Sequence, residues 1–272
     1  MVPRYEAAAV AAALGLPAVE FLAAGAFGDT WRADGRAVKI ICDDGYPPER
    51  VMREVAGLSR VDSPYVVKLL ETGVVHLGGT DRPALTFEYI SGGDLGHKVA
   101  AGIRPTSAEA LELLRGLLTG LRDLHDADGT VHRDIKPENI ALRHGNWNAP
   151  VILDLGLAKS VSEKTVTVYP GFLGTWPWAS PEQHEGKPAR KTSDLFSVGA
   201  TVRYAITGEH PFFEAGRSYT IDEVLAAIEA GPKPLPSFVS PQVGTVLDRL
   251  VRFVQNERGS TSSNLKKLAG QS

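Results

Sequence analysis

Two hydrophobic patterns divide the chain near residue 90. Before that point, short apolar runs of strand length alternate with turn residues, and these runs predict β-strands. They cover residues 19–22, 30–32, 37–42, 66–70 and 84–89. One main helix is predicted among them at residues 48–61, and an alanine-rich helix at residues 6–16 is expected to pack on, or to precede, this part. The first part is therefore predicted to be a small β-sheet with one main helix.

Helical periodicity dominates the chain after Asp94. Thr106 and Glu109 have the spacing of a capping box, in which each side chain binds the backbone amide of the other residue. Apolar residues then recur at helical spacing, as they do on the buried face of a helix. That face comprises Leu111, Leu114, Leu118, Leu121 and His125. A long helix with one buried face is predicted here.

Two more helix starts follow in the last part of the chain. Thr220 and Glu223 repeat the capping-box spacing and predict a helix that runs to about Gly231. Pro241 suits the first position of a helix over residues 242–254, because the first helical residue needs no backbone N–H.

The predicted fold class is α+β with two lobes, a small antiparallel sheet lobe followed by a larger helical lobe. Residues 1–18 are interpreted as an N-terminal helical extension, residues 19–90 as the first lobe and residues 91–272 as the second. A cleft is expected where the lobes join, at residues 91–93, and clefts of this kind are common ligand-binding sites.

Composition narrows the classes of function. The chain has 272 residues and a net charge of −3, so neither nucleic acid nor a membrane is expected as a partner. Its single cysteine, Cys42, excludes intramolecular disulfides and suits a reducing compartment. No apolar run is close to the length of a membrane-spanning helix, about 20 residues. The first residues also lack the charged segment followed by an apolar segment that is typical of a secretory signal. A cytoplasmic protein is predicted.

The segment richest in chemistry is residues 132–139, His-Arg-Asp-Ile-Lys-Pro-Glu-Asn. It places the carboxylate of Asp134, the ammonium of Lys136 and the carboxamide of Asn139 on one short loop. A second acid, Asp154, follows an apolar run that predicts a strand. Phosphoryl transfer from a nucleotide needs a base, cations and oxygen ligands for Mg²⁺, and these residue types offer all three.

This loop resembles the catalytic-loop signature of the eukaryotic-like (Hanks-type) serine/threonine protein kinases, and motifs in the family order extend the resemblance over residues 19–268. The resemblance implies the two-lobed protein kinase fold. It also implies that Asp134 is the base at the substrate hydroxyl and that Lys136 offsets charge at the γ-phosphate. Asn139 and Asp154 are the implied Mg²⁺ ligands.

A glycine-containing turn is expected to bind the phosphates of ATP. Gly25, Phe27 and Gly28 lie between the first two predicted strands, where glycines let backbone amides approach phosphate oxygens. Two glycines in a hairpin are more often a plain turn, so their place in the family order carries the argument. Ala23 stands where the family has its first glycine, and Thr30 stands where it has a valine against the adenine.

The remaining nucleotide contacts are implied by the resemblance. Ala37 and Lys39 match the family's lysine strand, and Lys39 would bind the α- and β-phosphates while paired with Glu54 on the main helix. The side chains of Lys39, Asp134 and Asp154 are expected to converge on one crevice.

Four residues are implied to contact the adenine. Phe87 matches the gatekeeper position, and the Glu88 carbonyl and the Ile90 amide would make the hinge hydrogen bonds. Ala141 takes the place of a larger aliphatic residue beneath the ring. The residue types alone leave a plain edge strand equally open at residues 87–90.

A protein substrate is favoured by residues 174–182, which resemble the family's substrate-docking loop and its closing Ala-Pro-Glu. Arg258 is the implied buried partner of Glu182, and Asp194 is expected to anchor the catalytic loop. Thr175, together with the lysine of the catalytic loop, favours serine and threonine over tyrosine as acceptors.

The predicted function is transfer of the γ-phosphoryl group of ATP to serine or threonine of a protein, with ATP and Mg²⁺ as cofactors. The substrates are expected to include the chain's own activation loop, between Asp154 and Glu182, by trans-autophosphorylation between self-associated copies. Thr165 and Thr167 are the favoured sites, and Arg133 with Lys159 could bind the added phosphate. A flexible polar loop without modification is equally open.

Two other functions remain as alternatives. A nucleotide-binding scaffold without activity is suggested by departures from the family pattern at Ala23, Thr30, Ala141 and Ser180. A small-molecule phosphotransferase shares the spacing from the loop aspartate to the asparagine and the metal-binding aspartate. Such enzymes generally lack a lysine at the position of Lys136, the docking loop and its Glu182–Arg258 pair, so this alternative is not favoured.

Overall fold

The structure is a computed structural model, and it describes residues 2–25, 27–43, 51, 55, 59–128, 130–154 and 177–271. The chain divides into two compact units. The first comprises Met1–Ser63 and Val67–Tyr89, and the second comprises Pro64–Val66 and Ile90–Ser272. Strands dominate the first unit and helices dominate the second, as the hydrophobic patterns predict.

The first unit is built on a five-stranded antiparallel sheet in the order β1-β2-β3-β5-β4. Its strands are β1 (Glu20–Ala24), β2 (Gly28–Ala33), β3 (Arg36–Ile41), β4 (Leu69–Leu77) and β5 (Thr80–Glu88). Val38 and Ile40 of β3 pack with Trp31 of β2 in a core on one face of this sheet. Because strand residues alternate between faces, Ala37 and Lys39 lie on the opposite face.

Helix α1 (Ala7–Leu14) covers the core side of the sheet. Its Val10 is fully buried in the same cluster as Trp31 and Ile40. The helix ends at Gly15, whose φ of 68° is the left-handed conformation that terminates many helices. The alanine-rich segment therefore packs on the first unit.

Strand β4 is longer than the pattern predicts and is shifted along the chain. The run at residues 66–70 predicts a strand there, but β4 spans Leu69–Leu77 and pairs with β5 across a turn of two glycines at positive φ. Because this pairing satisfies the backbone hydrogen bonds, the strand continues through polar residues that show no apolar alternation. Val66 instead makes an isolated parallel bridge with Ile152, inside the second unit.

Of the predicted main helix at residues 48–61, only residues 51, 55 and 59–61 are described, and Glu54 is among those left out. The prediction for this segment stays open.

Helices form most of the second unit. Those within the described residues are α2 (Leu95–Ala100), α3 (Ser107–Asp128), α4 (Pro181–His184), α5 (Lys191–Thr207), α6 (Ile221–Glu229), α7 (Pro241–Leu250) and α8 (Thr261–Leu268). A short antiparallel ribbon of β6 (Ile140–Leu142) and β7 (Pro150–Ile152) precedes α4. Leu114, Leu118 and Leu121 of α3 are fully buried, as their helical spacing predicts. In the described part of the chain, no helix is both long enough and apolar enough to cross a bilayer.

Both predicted capping boxes are present. The Thr106 amide donates to Glu109 Oε2 at 2.8 Å, and the Glu109 amide donates to Thr106 Oγ1 at 3.3 Å. Thr220 and Glu223 make the same two bonds at 2.8 Å and 3.3 Å. These reciprocal bonds satisfy amides that the first turn of a helix leaves without intrahelical partners.

Helix α7 begins at Pro241 as predicted but ends at Leu250, four residues before the predicted end. The carbonyls of Arg252 and Phe253 accept hydrogen bonds from the Arg258 guanidinium at 2.8 Å and 3.0 Å. A continuing helix would give these carbonyls to backbone amides one turn later. The buried arginine therefore takes the place of a further helical turn.

Candidate active site

The backbone of the catalytic loop (residues 132–139) is held by one buried carboxylate. Asp194, in the first turn of α5, accepts hydrogen bonds from the amides of His132 at 2.9 Å and Arg133 at 2.8 Å. Its Oδ2 atom also lies 2.8 Å from Nε2 of His125 on α3. Arg133 has a φ of 71°, a conformation that costs energy for a residue with a side chain. The charge-assisted bonds to Asp194 offset that cost and fix the loop.

Three predicted site residues meet on this loop. The Lys136 ammonium donates to Asp134 Oδ2 at 2.9 Å. Asn139 Nδ2 donates to the Asp134 carbonyl oxygen at 2.8 Å and to Oδ2 at 3.2 Å. The Asp134 side chain is 34% exposed, so solvent and a substrate can reach it. The loop thus presents an oriented carboxylate beside an ammonium.

Asp154 is joined to the same loop through the ribbon of β6 and β7. The Leu153 amide donates to the Asn139 carbonyl at 2.8 Å, and His132 Nε2 lies 2.8 Å from the Leu153 carbonyl. Asp154 follows directly, is exposed, and has a φ of 48°. Because Asn139 uses its nitrogen in both of its bonds to Asp134, its Oδ1 is the atom that could bind a cation. A carboxylate and an amide oxygen are hard ligands of the kind that Mg²⁺ accepts, so the residues present fit the predicted metal.

In the first unit, four predicted nucleotide residues share one face of the sheet. Thr30 pairs with Lys39, and Ala37 pairs with Phe87. Directly paired residues on neighbouring strands project to the same side. Lys39 is 9% exposed, which is low for a lysine.

In the glycine loop (residues 25–28), the described residues Phe27 and Gly28 lie close to the end of β3. The Gly25 amide donates to the Gly28 carbonyl at 2.8 Å, and the Phe27 carbonyl accepts from the Cys42 amide at 2.7 Å. A Cβ atom built on Gly28 would lie 1.9 Å from the Ile40 carbonyl oxygen. Glycine is therefore required at position 28 by the neighbouring strand.

We expect Gly28→Ala to lower the free energy of unfolding by about 2 kcal/mol or more, because a backbone carbonyl cannot move aside without disturbing the β2–β3 pairing. Urea unfolding followed by circular dichroism measures this change. Gly73→Ala on β4 is the matched control, since a Cβ atom there would meet no atom within 4 Å. Equal unfolding midpoints for the two variants would show that the loop does not pack against β3 in this way.

The residues predicted to contact the adenine lie in both units. Glu88 ends β5, where its amide and its side chain both bond to the backbone of Lys68, at 3.0 Å and 3.1 Å. Ile90 begins the longer segment of the second unit, and Ala141 is buried in β6, bridged to Asp94. The hinge roles of Glu88 and Ile90, and the convergence of Lys39 with the acids of the second unit, stay predictions.

The described end of the docking segment (residues 177–182) is tied to the catalytic loop. Ser180 caps α4 in a box with Gln183, whose Oε1 accepts from the Ser180 amide at 3.1 Å. Gln183 Nε2 then donates to the Arg133 carbonyl at 3.1 Å. The Ser180–Gln183 spacing is that of a capping box, but nothing in the sequence signals the bond from Gln183 to the catalytic loop. Thr175 lies outside the described residues.

The predicted pair of Glu182 and Arg258 is present and buried. Arg258 donates to both carboxylate oxygens, at 2.7 Å and 3.0 Å, and Ser193 Oγ donates to the same carboxylate at 2.7 Å. Burial by itself raises the pKa of Glu182, but the hydrogen bonds and charge of Arg258, with the Ser193 hydroxyl, outweigh it, so the pKa lies below its ordinary value. Glu182 is therefore a carboxylate at neutral pH.

His210 was not predicted as a functional residue, but it contacts the backbone of the docking segment at Pro177. Its Nε2 lies 2.9 Å from the Pro177 carbonyl, and its Nδ1 accepts the amides of Phe212 and Phe213 at 3.2 Å each. Its ring also stacks on that of Phe213 at 4.5 Å. Burial lowers the pKa of His210 to about 3, so the ring is neutral with its proton on Nε2. A lone histidine after a helix gives no sequence signal of this role.

We expect His210→Phe to flatten the dependence of stability on pH between about pH 6.5 and pH 3. The pKa of His210 is lowered in the folded protein, so the unfolded chain binds one more proton in this window and stability falls as pH falls. Unfolding free energies of wild type and His210→Phe at several pH values test this. Parallel curves for the two proteins would contradict a buried neutral His210.

The chain belongs to the protein kinase domain family, because the family model with that description matches residues 29–268. The probable serine/threonine-protein kinase PknB of Corynebacterium glutamicum is 34% identical over 166 residues, which cover 60% of this chain and 25% of that protein. The probable serine/threonine-protein kinase PkwA of Thermomonospora curvata is 33% identical over 229 residues, covering 80% and 29%.

A solved structure shares the fold. The crystal structure of Rad53 1–466 in complex with AMP-PNP matches with a TM-score of 0.70 and 26% identity, over 92% of this chain and 64% of that one. The predicted family and the α+β kinase fold are thereby confirmed. The chain spans about a quarter of the length of the two curated relatives.

Proposed function

We propose that this chain transfers the γ-phosphoryl group of ATP to serine and threonine hydroxyls of protein substrates. The observation that carries the proposal is the anchored loop on which Asp134, Lys136 and Asn139 meet at 2.8–3.2 Å. Two relatives named as probable serine/threonine-protein kinases support it, as does the AMP-PNP held by the Rad53 structure.

Asp134 is the proposed base. Lys136 and Asn139 both donate to its Oδ2 atom, so Oδ1 is the atom proposed to receive the proton of the substrate hydroxyl. In the proposed transfer step, the oxygen of the substrate hydroxyl bonds to the γ-phosphorus of ATP. The bond between that phosphorus and the β–γ bridging oxygen breaks, and this oxygen leaves with ADP. The Lys136 ammonium would offset negative charge on the transferred group.

Asn139 and Asp154 are the proposed Mg²⁺ ligands, through Oδ1 and the carboxylate. When bound, Mg²⁺ supplies positive charge that neutralises the phosphate oxygens. The β6–β7 ribbon fixes the spacing of these two residues, because it joins the backbone of Leu153 to that of Asn139. Asn139 and Asp154 would thus hold the Mg²⁺ ion beside the catalytic loop.

The nucleotide contacts of the first unit are proposed from its sheet face. Backbone amides of the glycine loop would bind phosphate oxygens, and Lys39 would bind the α- and β-phosphates. The other proposed nucleotide contacts are Thr30, Ala37, Phe87, Glu88, Ile90 and Ala141, with Glu54 as the proposed partner of Lys39.

A protein substrate is proposed because the docking segment is rigidly supported. Gln183 joins it to Arg133, His210 joins it to Phe212 and Phe213 in the segment after α5, and Glu182 is fixed by Arg258. A small-molecule phosphotransferase needs no such support for an extended chain, so that alternative is not favoured.

Nucleotide binding and label transfer measured in one sample test the proposal. Wild type with Mg²⁺ and ATP labelled at the γ-phosphate should bind nucleotide and label an acceptor peptide, and Asp154→Ala should lose the transfer. Asp81→Ala, which changes an exposed acid on β5, should behave as wild type. Wild-type protein that binds ATP but transfers no label would instead be the nucleotide-binding scaffold.

Self-association for trans-autophosphorylation, on Thr165 or Thr167, is part of the proposal. These residues lie outside the described part of the chain. Active protein mixed with a tagged Asp134→Asn copy should label the tagged copy, and peptide mapping should place the label between residues 160 and 169. An unlabelled tagged copy would contradict trans-autophosphorylation.

A cytoplasmic location is likewise proposed, because the single cysteine Cys42 suits a reducing compartment. Cell fractionation tests this location.

A further inference from the structure

The buried acid next to the glycine loop is Asp29, the residue that follows Gly28 at the start of β2. Its side chain is fully buried. Burying a carboxylate without a partner is strongly unfavourable, so the residues that pair with it decide whether this part of β2 is stable. The family resemblance assigns no role to this position in the chain.

Arg4 supplies that pairing from the N-terminal strap, which we define as residues 2–5. The Arg4 amide donates to Asp29 Oδ2 at 2.6 Å, and its guanidinium makes an ion pair with Oδ1. A second guanidinium nitrogen donates to the Gly25 carbonyl at 2.8 Å. The Arg4 side chain therefore contacts both ends of the glycine loop: Gly25, its first residue, and Asp29, which follows Gly28.

Tyr5 fixes the strap at a second point. Its ring packs with the core cluster of the first unit, and a Cβ atom built on Gly78 would lie 2.8 Å from that ring. The guanidinium of Arg82 lies 5.6 Å from the centre of the ring and donates to the Cys42 carbonyl at 2.8 Å. The strap is thus held by the β4–β5 turn while Arg4 reaches the glycine loop.

We propose that the N-terminal strap sets the conformation of the glycine loop and thereby the affinity for the triphosphate, with Arg4 as the positioning residue. This inference rests on the proposed function, in which the loop amides bind phosphate oxygens. The Asp29 carboxylate neutralises the Arg4 charge, so Arg4 acts through the loop backbone and not as a phosphate ligand. Loop amides that are already oriented bind without the entropy cost of ordering them.

Arg4→Ala should raise the KM for ATP about tenfold, the loss expected for a charge-assisted hydrogen bond, and change kcat by less than about twofold. Arg4→Lys, which keeps the charge but not the two-ended contact, should lie between wild type and Arg4→Ala. Arg36→Ala is the matched control, because Arg36 pairs with exposed Glu71 at 3.7 Å elsewhere on the same sheet. A KM within about twofold of wild type in Arg4→Ala would overturn the inference.

Loss of Arg4 leaves a buried carboxylate, so Arg4→Ala could simply unfold. The double variant Arg4→Ala/Asp29→Asn removes that carboxylate charge and should keep the raised KM while it unfolds at a temperature near that of wild type. If the double variant recovers the wild-type KM, Arg4 stabilises the fold only, and the inference is wrong.

Hydrogen exchange separates this inference from the proposed function. The Phe27 and Gly28 amides should exchange at least several-fold faster in Arg4→Ala than in Arg36→Ala, whether or not ATP binds. Wild type that binds no ATP, with this difference present, contradicts the proposed function and leaves the strap supported. Equal exchange rates contradict the strap.

Discussion

Asp134→Ala is expected to lower kcat by about 10²- to 10⁴-fold, the range found when a general base is removed. Its carboxylate is the only side chain of the catalytic loop proposed to take the proton of the acceptor hydroxyl. Folding stability should change little, because the side chain is 34% exposed and Asn139 keeps its bond to the Asp134 backbone carbonyl. Steady-state transfer of label to an acceptor peptide, together with urea unfolding, measures both quantities.

Asp126→Ala provides the control for this result, since Asp126 is an exposed acid near the end of α3. It should keep wild-type kcat. Asp134→Asn should lose activity nearly as fully as Asp134→Ala, because the amide can still accept from Lys136 but cannot take a proton. Activity in Asp134→Ala above about a tenth of wild type would contradict the role of base.

Arg258→Met should lower the free energy of unfolding by about 3–5 kcal/mol, because it leaves the buried Glu182 carboxylate without its partner. Arg258 is fully buried and also donates to the carbonyls of Thr192, Arg252 and Phe253. Urea unfolding gives the change directly. An exposed arginine such as Arg217, paired with Glu223 at 3.2 Å, is the control, and Arg217→Met should cost less than about 1 kcal/mol.

A double-mutant cycle isolates the ion pair from these other bonds. Glu182→Gln and Arg258→Met should be non-additive by about 1 kcal/mol or more. The pKa of Glu182 is lowered on folding, so its contribution is present above the ordinary pKa of 4.5 and is lost as pH falls through the folded value. Stability of Glu182→Gln should therefore depend less on pH below about 4.5. Additive costs would show that the two side chains do not interact.

The parts of the fold that the sequence predicts are those with a local cause. The capping boxes at Thr106 and Thr220 depend on residues three apart, and the buried face of α3 follows from helical spacing. The catalytic loop is also local, since Asp134, Lys136 and Asn139 are close in the chain and in space. Such features need no knowledge of the partner elements.

Contacts between distant residues were predicted only where the family resemblance supplied them. It paired Glu182 with Arg258, 76 residues apart, and the structure shows that pair. Nothing in the sequence joins Arg4 to Asp29, since a surface arginine and a strand acid are both common. β4 was misplaced for a similar reason, because its extent is set by pairing with β5.

His210 illustrates a buried polar group that spacing cannot find. Its role depends on three backbone groups, those of Pro177, Phe212 and Phe213, which meet only in the folded chain. The neutral ring follows from burial, and burial of a single histidine outside a helix or strand has no periodic signal.

Phosphoamino acid analysis tests the central claim most directly. Wild type, incubated with Mg²⁺, ATP labelled at the γ-phosphate and a peptide mixture offering serine, threonine and tyrosine, should yield labelled phosphoserine or phosphothreonine, and the Asp134→Ala protein should yield neither. Label on tyrosine alone, or equal label from the two proteins, would contradict a serine/threonine kinase that uses Asp134 as its base.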